Sequence, residues 1–448
     1  GYDVDIVDTR CVDHREALPK LLDRGDVLSV NLTCMTGPQI LHGIKLSRWV
    51  KEKYPGVPVV WGGIHASYLP EQTIANPYID YVCVGVGEPT ILEMQACFKR
   101  GEAPEEVAGG VWKDKAGRIV KNKERPPESL EKIPPYAWHL VDPKPYIVPD
   151  LVRGRTISMF SSRGCPHLCT FCYIDSFHHR KWKGQSPEEV LAEVDYLRGV
   201  MEFDSVYFHD DNFAVNKKRV REIAKGFKER GVWFGFALKV NYLNDEFAKF
   251  LSEHNCDRLD WGAESGSNKI LGLYQKGQTR EHSIRAAHLM AKYGMSGQVS
   301  TVIGHPEETY EDMLETLDMM DEMQRINPRL RLADTKILTL YPGNHLYDEA
   351  VSKYGFQPPT KLEDWSEFYW NSAQTPWLFD RNMMEVISFT TLIVFVHWRL
   401  RKQSRVYNFL LEAFHRLEKL RWRKRFFKFA PEVRLMKYYL DLINYALR

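Results

Sequence analysis

The sequence predicts an α/β protein with an N-terminal doubly wound domain, a central partial barrel and a C-terminal helical extension. Short apolar runs alternate with amphipathic stretches over residues 1–125, and six strand-and-helix pairs follow over residues 153–345. Between them, seven prolines from position 126 to position 149 predict a linker over residues 126–152, because proline is excluded from regular helices and central strands. Residues 346–448 form the expected helical extension.

The amino-acid composition excludes several classes of protein. The chain has 448 residues, with 61 basic and 59 acidic side chains and 44% hydrophobic residues, which excludes collagen-like and disordered proteins. Eight cysteines are too few to staple a chain of this length, and three of them lie within eight residues, so we expect a metal site in a reducing compartment. We expect a cytoplasmic protein, because no signal peptide is visible and the longest apolar stretch, 386–396, is shorter than the roughly 20 residues of a membrane span.

The first domain is predicted from its strands and helices. Helical spacing appears over residues 17–22 and again over residues 40–50, and a hairpin over residues 110–120 closes the domain. A fold of this type usually begins with a further strand and helix, so we expect a domain trimmed at its N-terminus. The predicted strands are Asp3–Val7, Val27–Leu32, Val57–Trp61 and Tyr81–Gly85.

The second domain is predicted as a partial (β/α)6 barrel, whose active site would lie at the carboxyl ends of its strands. A long helical pattern follows each strand except the last. The predicted strands are Thr156–Ser161, Ser205–His209, Trp233–Val240, Arg258–Gly262, Gln298–Ile303 and Thr335–Leu340.

Three cysteines directly after the first barrel strand give the sharpest chemical signal. Cys165, Cys169 and Cys172 can hold a [4Fe-4S] cluster through three irons and leave the fourth iron open for a ligand. A structural zinc site would want four ligands, and His167 is poorly spaced to supply the fourth. Zinc and incidental thiols remain the alternatives to a cluster.

This cysteine spacing resembles the signature of radical S-adenosylmethionine (SAM) enzymes. The resemblance implies that SAM chelates the open iron and that Phe171 packs near its adenine. Three later strand ends are similar to further motifs of that family and imply contacts with SAM, although a pair of aspartates alone is more often a solvated strand end or a helix cap. The SAM-binding residues so implied are Phe171, Asp210, Asp211, Glu264, Ser265 and Gly304.

Three strand ends of the first domain carry glycines and small polar residues where an open α/β sheet binds ligands. They resemble the cobalamin-binding domain of the B12-binding radical SAM family, although Val86 stands where that family often has an acidic residue. A degenerate Rossmann-like domain without a ligand is the alternative. The cobalamin-binding residues implied are Thr33, Met35, Thr36, Gly37, Gly62, Gly63, His65, Gly85, Gly87 and Glu88.

The Asp-x-His-x-x-Gly motif that supplies a histidine to cobalt in other B12 proteins is absent. We therefore expect cobalamin to bind base-off, without a histidine ligand. His14 and His65 are expected to be structural imidazoles.

The resemblance implies methylation of an unactivated carbon through a 5'-deoxyadenosyl radical and methylcobalamin. A cyclase or other carbon-skeleton enzyme of the same architecture is the first alternative, and a non-catalytic cobalamin or redox sensor is the second. The expected partners are a small-molecule or lipidic substrate and an electron donor such as flavodoxin or ferredoxin. No catalytic acid or base is assigned.

The C-terminal tail is basic and aromatic. Residues 381–448 hold 15 Lys plus Arg and 5 Asp plus Glu, a balance of +10, together with 13 aromatic residues. Such helices can lie at a membrane interface or bind an anionic or lipidic substrate, and we expect the run Arg421–Arg425 to form that binding face. A helical cap on the barrel is the favoured alternative, and no nucleic-acid partner is expected because no recognised motif accompanies the charge.

Overall fold

A computed structural model describes residues 2–126, 136–368, 375–377, 381–396, 405–431 and 433. Part of the predicted linker, residues 127–135, lies outside the described residues. The same holds for tail residues 397–404 and 434–448.

The first sheet has five strands that follow one another in chain order, the first three parallel and the last two antiparallel. Trp61 lies at its centre, fully buried, and its indole nitrogen donates to Ser47 Oγ at 2.8 Å. The strands are β1 (Val30–Thr33), β2 (Val59–Gly62), β3 (Tyr81–Cys83), β4 (Gly110–Lys113) and β5 (Ile119–Lys121). The helices are α1 (His14–Leu22), α2 (Gln39–Lys53), α3 (Ile64–Tyr68), α4 (Pro70–Ile74) and α5 (Gly87–Lys99).

The predicted strand Asp3–Val7 is wrong. Residues 3–6 are all exposed, including Val4 and Ile6, so neither face of this segment is covered by the sheet. A doubly wound sheet would need a further strand beside β1, and this segment does not supply it.

The second sheet carries the barrel. Its strand order is β14-β13-β12-β11-β10-β7-β6, with β15 paired to β13, and all pairings are parallel except that of β6 with β7. The six predicted strands of the barrel correspond to β7, β10, β11, β12, β13 and β15, and the short strand β14 was not predicted. The strands of this sheet are β6 (Val148–Pro149), β7 (Arg155–Met159), β10 (Ser205–Phe208), β11 (Trp233–Ala237), β12 (Cys256–Glu264), β13 (Gly297–Ile303), β14 (Leu330–Leu332) and β15 (Lys336–Ile337).

Helices cover the outer side of this sheet, where alternate strand residues such as Phe208, Phe234 and Leu259 are fully buried. A small ribbon, β8 (Ser162–Arg163) with β9 (Lys183–Gly184), follows β7. The helices are α6 (Ile174–Phe177), α7 (Pro187–Val200), α8 (Lys217–Glu229), α9 (Asp245–Glu253), α10 (Asn268–Leu273), α11 (Arg280–Lys292), α12 (Tyr310–Ile326) and α13 (His345–Lys353).

Two C-terminal helices, α14 (Arg381–Val396) and α15 (Arg405–Lys424), pack on the barrel. Trp422 is buried and donates to Asp321 of α12 at 2.6 Å. Arg425 pairs with both Asp318 and Asp321. No helix in the described part of the chain is long and apolar enough to span a membrane.

A turn of 3-10 helix, Glu363–Glu367, ties the C-terminal segment back to the first domain. Trp365 is fully buried there among the aromatic rings of His65, Tyr347 and Phe368. Its indole nitrogen donates to Gln72 Oε1 at 2.7 Å. Trp365 follows the second domain in the sequence, and its side chain packs in the core of the first domain.

We expect Trp365→Ala to destabilise the first domain by about 3–5 kcal/mol, because it leaves a large cavity and an unpaired amide. Urea unfolding of the apoprotein, followed by far-UV circular dichroism, measures the loss. Trp365→Phe should lose less, and Leu92→Ala, at a position 57% exposed, should change stability by less than about 0.5 kcal/mol. Equal losses for Trp365→Ala and Leu92→Ala would show that the turn is not a structural anchor.

Candidate functional site

The loop that follows β7 is held by the carboxylate of Asp210. This side chain accepts hydrogen bonds from Ser161 N and Ser161 Oγ, both at 2.8 Å, and from Ser162 Oγ. Burial raises the pKa of Asp210 to about 6, although these three donors oppose the shift. Asp210 therefore holds the start of the loop in place.

The next two residues extend this support toward the cysteines. Asp211 accepts from Gly164 N at 2.7 Å, and Asn212 places its side-chain nitrogen 3.8 Å from the sulfur of Cys165. Gly164 has a φ of 84°, and a Cβ there would lie 3.1 Å from His178 and closer still to the carbonyl oxygen of Lys181. Only glycine fits this turn without strain.

The three thiols lie at the carboxyl end of β7, partly buried and not linked to one another. Cys172 N donates to Cys169 O at 2.9 Å, so the last two cysteines share one turn. Burial raises the pKa of Cys172 to about 12, and it raises the pKa of Cys169 against the opposing charges of Lys276 and Lys239. Three soft donors beside two cations suit an anionic iron–sulfur cluster.

No group of three or more His, Cys, Asp or Glu side chains in the described ranges is arranged around a single ion. Cluster ligation does not need such a group, since each thiolate binds its own iron. The donor set of this loop therefore fits a [4Fe-4S] cluster.

Three polar side chains near the cysteines, those of His167, Tyr242 and Lys239, contact one another, and this cluster was not predicted from the sequence. His167 Nε2 lies 2.6 Å from the hydroxyl of Tyr242, and its Nδ1 lies 3.3 Å from Lys239 Nζ. Burial, followed by the charge of Lys239, lowers the pKa of His167 to about 4, which keeps the imidazole neutral. His167 thus positions two neighbouring side chains and is not arranged as a fourth metal ligand.

Glu264 ends β12 and pairs with Lys276, which also donates to Gly262 O at 2.6 Å. Its backbone has a φ of 61°, a left-handed conformation that costs about 1–3 kcal/mol in a residue other than glycine. Such strain is common at functional sites. Lys276 gave no signal in the sequence because it lies in the loop after α10, away from any strand end.

The remaining residues implied for SAM differ in their surroundings. Phe171 packs edge-on against Tyr274, with ring centroids 4.8 Å apart. Ser265 is fully buried and bonds to Thr316 and Ser267, inside the protein. Gly304 donates its N–H to Glu308, and its carbonyl accepts from Trp377 at 3.0 Å. Contacts of these residues with SAM stay predictions.

The residues implied for cobalamin gather at the carboxyl ends of β1, β2 and β3. Gly63 has a φ of 88°, and a Cβ there would come within 2.8 Å of Cys34 backbone atoms and Thr33 Oγ1. Gly85 has a φ of 78° and nothing within 4 Å of where a Cβ would stand, so open space lies above it. Met35 is half exposed at the same crevice. Such a cradle leaves room for a bulky ligand.

His65 lies in α3, two residues after Gly63. The side chain is fully buried, its Nδ1 lies 2.9 Å from Thr36 Oγ1, and burial lowers its pKa to about 4. His14 is elsewhere, at the start of α1 against the ring of Trp49. The absence of a histidine ligand to cobalt stays a prediction.

The two crevices meet. Arg163, two residues before Cys165, pairs with Glu88 of the first domain at 2.7 Å. Tyr68 of α3 donates to the carbonyl of Tyr173, the residue after Cys172, at 2.6 Å. Tyr68 could not be identified from local patterns, because this contact joins positions 105 residues apart.

Two family models match the two halves of this site. The B12 binding domain matches residues 1–94, and the radical SAM superfamily matches residues 159–320. The chain therefore carries a B12-binding domain followed by a radical SAM domain.

The relatives of this chain include proteins named as methyltransferases and proteins named as cyclases. It is 29% identical to an uncharacterized methyltransferase of Pyrococcus horikoshii over 78% of this chain and 75% of that one. It is 28% identical to cytidylyl-2-hydroxyethylphosphonate methyltransferase of Streptomyces wedmorensis (63% and 59%). It is 26% identical to anaerobic magnesium-protoporphyrin IX monomethyl ester cyclase of Rubrivivax gelatinosus (75% and 62%). The chain thus spans about three fifths of the last two relatives.

Among solved structures, the fold matches that of OxsB, a cobalamin-dependent SAM radical enzyme solved with aqua-cobalamin and SAM bound. The TM-score is 0.69 at 16% identity, over 96% of this chain and 69% of that chain. This likeness concerns the fold.

We expect the triple variant Cys165→Ala/Cys169→Ala/Cys172→Ala to bind no cluster after anaerobic reconstitution, because all three ligands are lost. Iron and sulfide analysis and the visible absorbance of the cluster measure the loss. The matched control is Cys11→Ala/Cys97→Ala, which removes cysteines of the first domain and should keep the full iron load. A full iron load in the triple variant would place the cluster elsewhere.

Proposed function

We propose that this chain is a cobalamin-dependent radical SAM methyltransferase that acts on an unactivated carbon. The observation that carries the proposal is the contact between the two crevices, where Arg163 beside the cysteines pairs with Glu88 in the first turn of α5. A site that joins both cofactors can bring a methyl donor and a hydrogen-abstracting centre to one substrate. The names of the two methyltransferase relatives support the same activity.

When bound, the reduced cluster supplies the electron that cleaves SAM, and cobalamin supplies the methyl group. The thiols of Cys165, Cys169 and Cys172 would hold the cluster. We assign Phe171, Glu264 and Gly304 to SAM, and the glycines at the ends of β2 and β3 to cobalamin. Asp210, Asp211 and Ser265 support these groups from inside the protein, and hold the loops in which the binding residues stand.

Water must be kept from a reactive site of this kind. Tyr68 closes one side of it, because its ring packs against Phe177 and near Gly343 while its hydroxyl bonds to Tyr173 O. The chain's own contribution is thus orientation and exclusion of solvent.

A cyclase of the same architecture is the second candidate function, and the similarity to the magnesium-protoporphyrin IX monomethyl ester cyclase favours it. An electron donor such as flavodoxin or ferredoxin would reduce the cluster in either case. The cytoplasmic location and the lipidic nature of the substrate stay predictions, as does the sensor alternative.

Methyl-labelled SAM separates these functions without a known substrate. We expect the reconstituted protein, given cobalamin and a reductant, to form S-adenosylhomocysteine and to transfer label to the cobalamin fraction, and also to release 5'-deoxyadenosine. Liquid chromatography with mass detection measures all three. A cyclase would release 5'-deoxyadenosine without labelling cobalamin, and a sensor would do neither.

The cysteine triple variant is the control for this assay. It should lose 5'-deoxyadenosine, because the cluster is absent. The Cys11→Ala/Cys97→Ala variant should behave as wild type.

We expect cobalamin to bind base-off with no protein imidazole on cobalt, because His65 is fully buried and hydrogen-bonded to Thr36. Electron paramagnetic resonance of the Co(II) form should show no nitrogen hyperfine splitting from protein. Wild type, His14→Ala and His65→Gln should give the same spectrum. Splitting that changes when histidine is labelled with ¹⁵N would contradict the assignment.

A further inference from the structure

The outward side of α15 and the turn after it carry an unusual set of exposed side chains. Phe409 is 73% exposed and Phe429 is 68% exposed, which is high for phenylalanine in a folded protein. We call this surface the α15 outer face; its apolar members are Phe409, Leu417, Leu420, Phe426 and Phe429, and its basic members are Arg416, Lys419, Arg423, Lys424 and Lys428.

The helix is fixed in place by its other side. Leu411, Glu418 and Trp422 are buried, and they recur at the spacing of one helical face. Glu418 accepts from Thr390 of α14 at 2.6 Å, and Trp422 donates to α12. The α15 outer face is therefore the solvent side of a docked helix.

The predicted binding face Arg421–Arg425 is wrong in part for the same reason. Arg421 is turned inward and donates to the carbonyls of Phe426 and Phe429 at 2.6 and 2.9 Å. Arg425 is paired with two aspartates of α12. Only Arg423 and Lys424 of that run point outward.

The charge of the α15 outer face has one sign. Among residues 408–431, where the structure describes all but a few side chains, none of the exposed residues is acidic, because Glu418 is buried and Glu412 is half-buried. The α15 outer face therefore combines five basic side chains with five large apolar ones. Leu417 and Leu420, three residues apart, lie on one side of the helix, with Arg416 and Arg423 beside them.

We propose that the α15 outer face docks on a lipid surface with anionic headgroups, with its leucines and phenylalanines in the headgroup–acyl boundary. Apolar groups flanked by lysine and arginine, on a helix too polar to cross a bilayer, match this binding mode. A second copy of the chain fits less well, since a two-fold contact would oppose five positive charges to five more. Nucleic acid fits less well too, because no recognised nucleic-acid-binding motif accompanies the charge.

Vesicle flotation with the full purified chain tests the proposal. Wild type should float with vesicles that contain phosphatidylglycerol, should not float with phosphatidylcholine alone, and should lose binding as salt rises from about 0.1 M. Lys419→Glu/Arg423→Glu/Lys424→Glu should weaken partition on the order of 100-fold, because each of the three basic side chains contributes about five-fold near an anionic surface. Leu417→Gln/Leu420→Gln should weaken it about five-fold or more.

The matched control is Lys218→Glu/Lys225→Glu/Lys228→Glu, which makes the same charge change at exposed positions of α8 and should leave partition within about two-fold of wild type. Absence of wild-type flotation, or equal loss in the control, would overturn the proposal. Concentration-dependent dimerisation that Leu417→Gln/Leu420→Gln abolishes, with no flotation, would assign the face to a second copy instead. These measurements use the apoprotein, so they stand apart from methyl transfer.

Discussion

The site depends on the hydrogen bonds that three consecutive residues at the end of β10 make to the cysteine loop. Asp210 binds the start of the loop, Asp211 binds its glycine turn, and Asn212 reaches the first sulfur. Each contact joins strand β10 to a segment almost fifty residues earlier, and a parallel sheet allows this because neighbouring strands end at the same level. A metal-binding loop that had to order itself on binding would lose affinity to conformational entropy. Here the fold has already ordered it.

The same loop is also where the two domains meet. Arg163 lies between Ser162, which Asp210 holds, and Gly164, which Asp211 holds, so its backbone is fixed on both sides before it pairs with Glu88. An exposed ion pair contributes little free energy by itself. Its geometric effect is to join the cysteine loop to the first turn of α5. Tyr68 and Trp365 add two further contacts between distant parts of the chain.

The sequence was sufficient for features that depend on local patterns. Alternating strands and helices predicted both sheets, and the cysteine spacing predicted the metal loop. It failed for Asp3–Val7, whose apolar residues have the right alternation but no covered face. The hydrogen bonds of Asp210 and Asp211 to the cysteine loop could not be predicted from local patterns, and the contacts of both residues with SAM stay predictions. Lys239, Lys276 and Tyr68 gave no signal, because their importance comes from partners in other elements.

The C-terminal helices have a consequence for how this chain avoids self-association. Because the barrel is not closed, its sheet has two edges. An edge strand with unpaired backbone groups can pair with a strand of another chain. At one edge, β6 carries Pro149, which has no N–H to offer. At the other, α14 lies along β14 and β15, and Thr391 of that helix accepts from Thr335 N at 2.8 Å between them. Loss of α14 would therefore expose the sheet edge at β14 and β15 and promote aggregation through strand pairing with other chains.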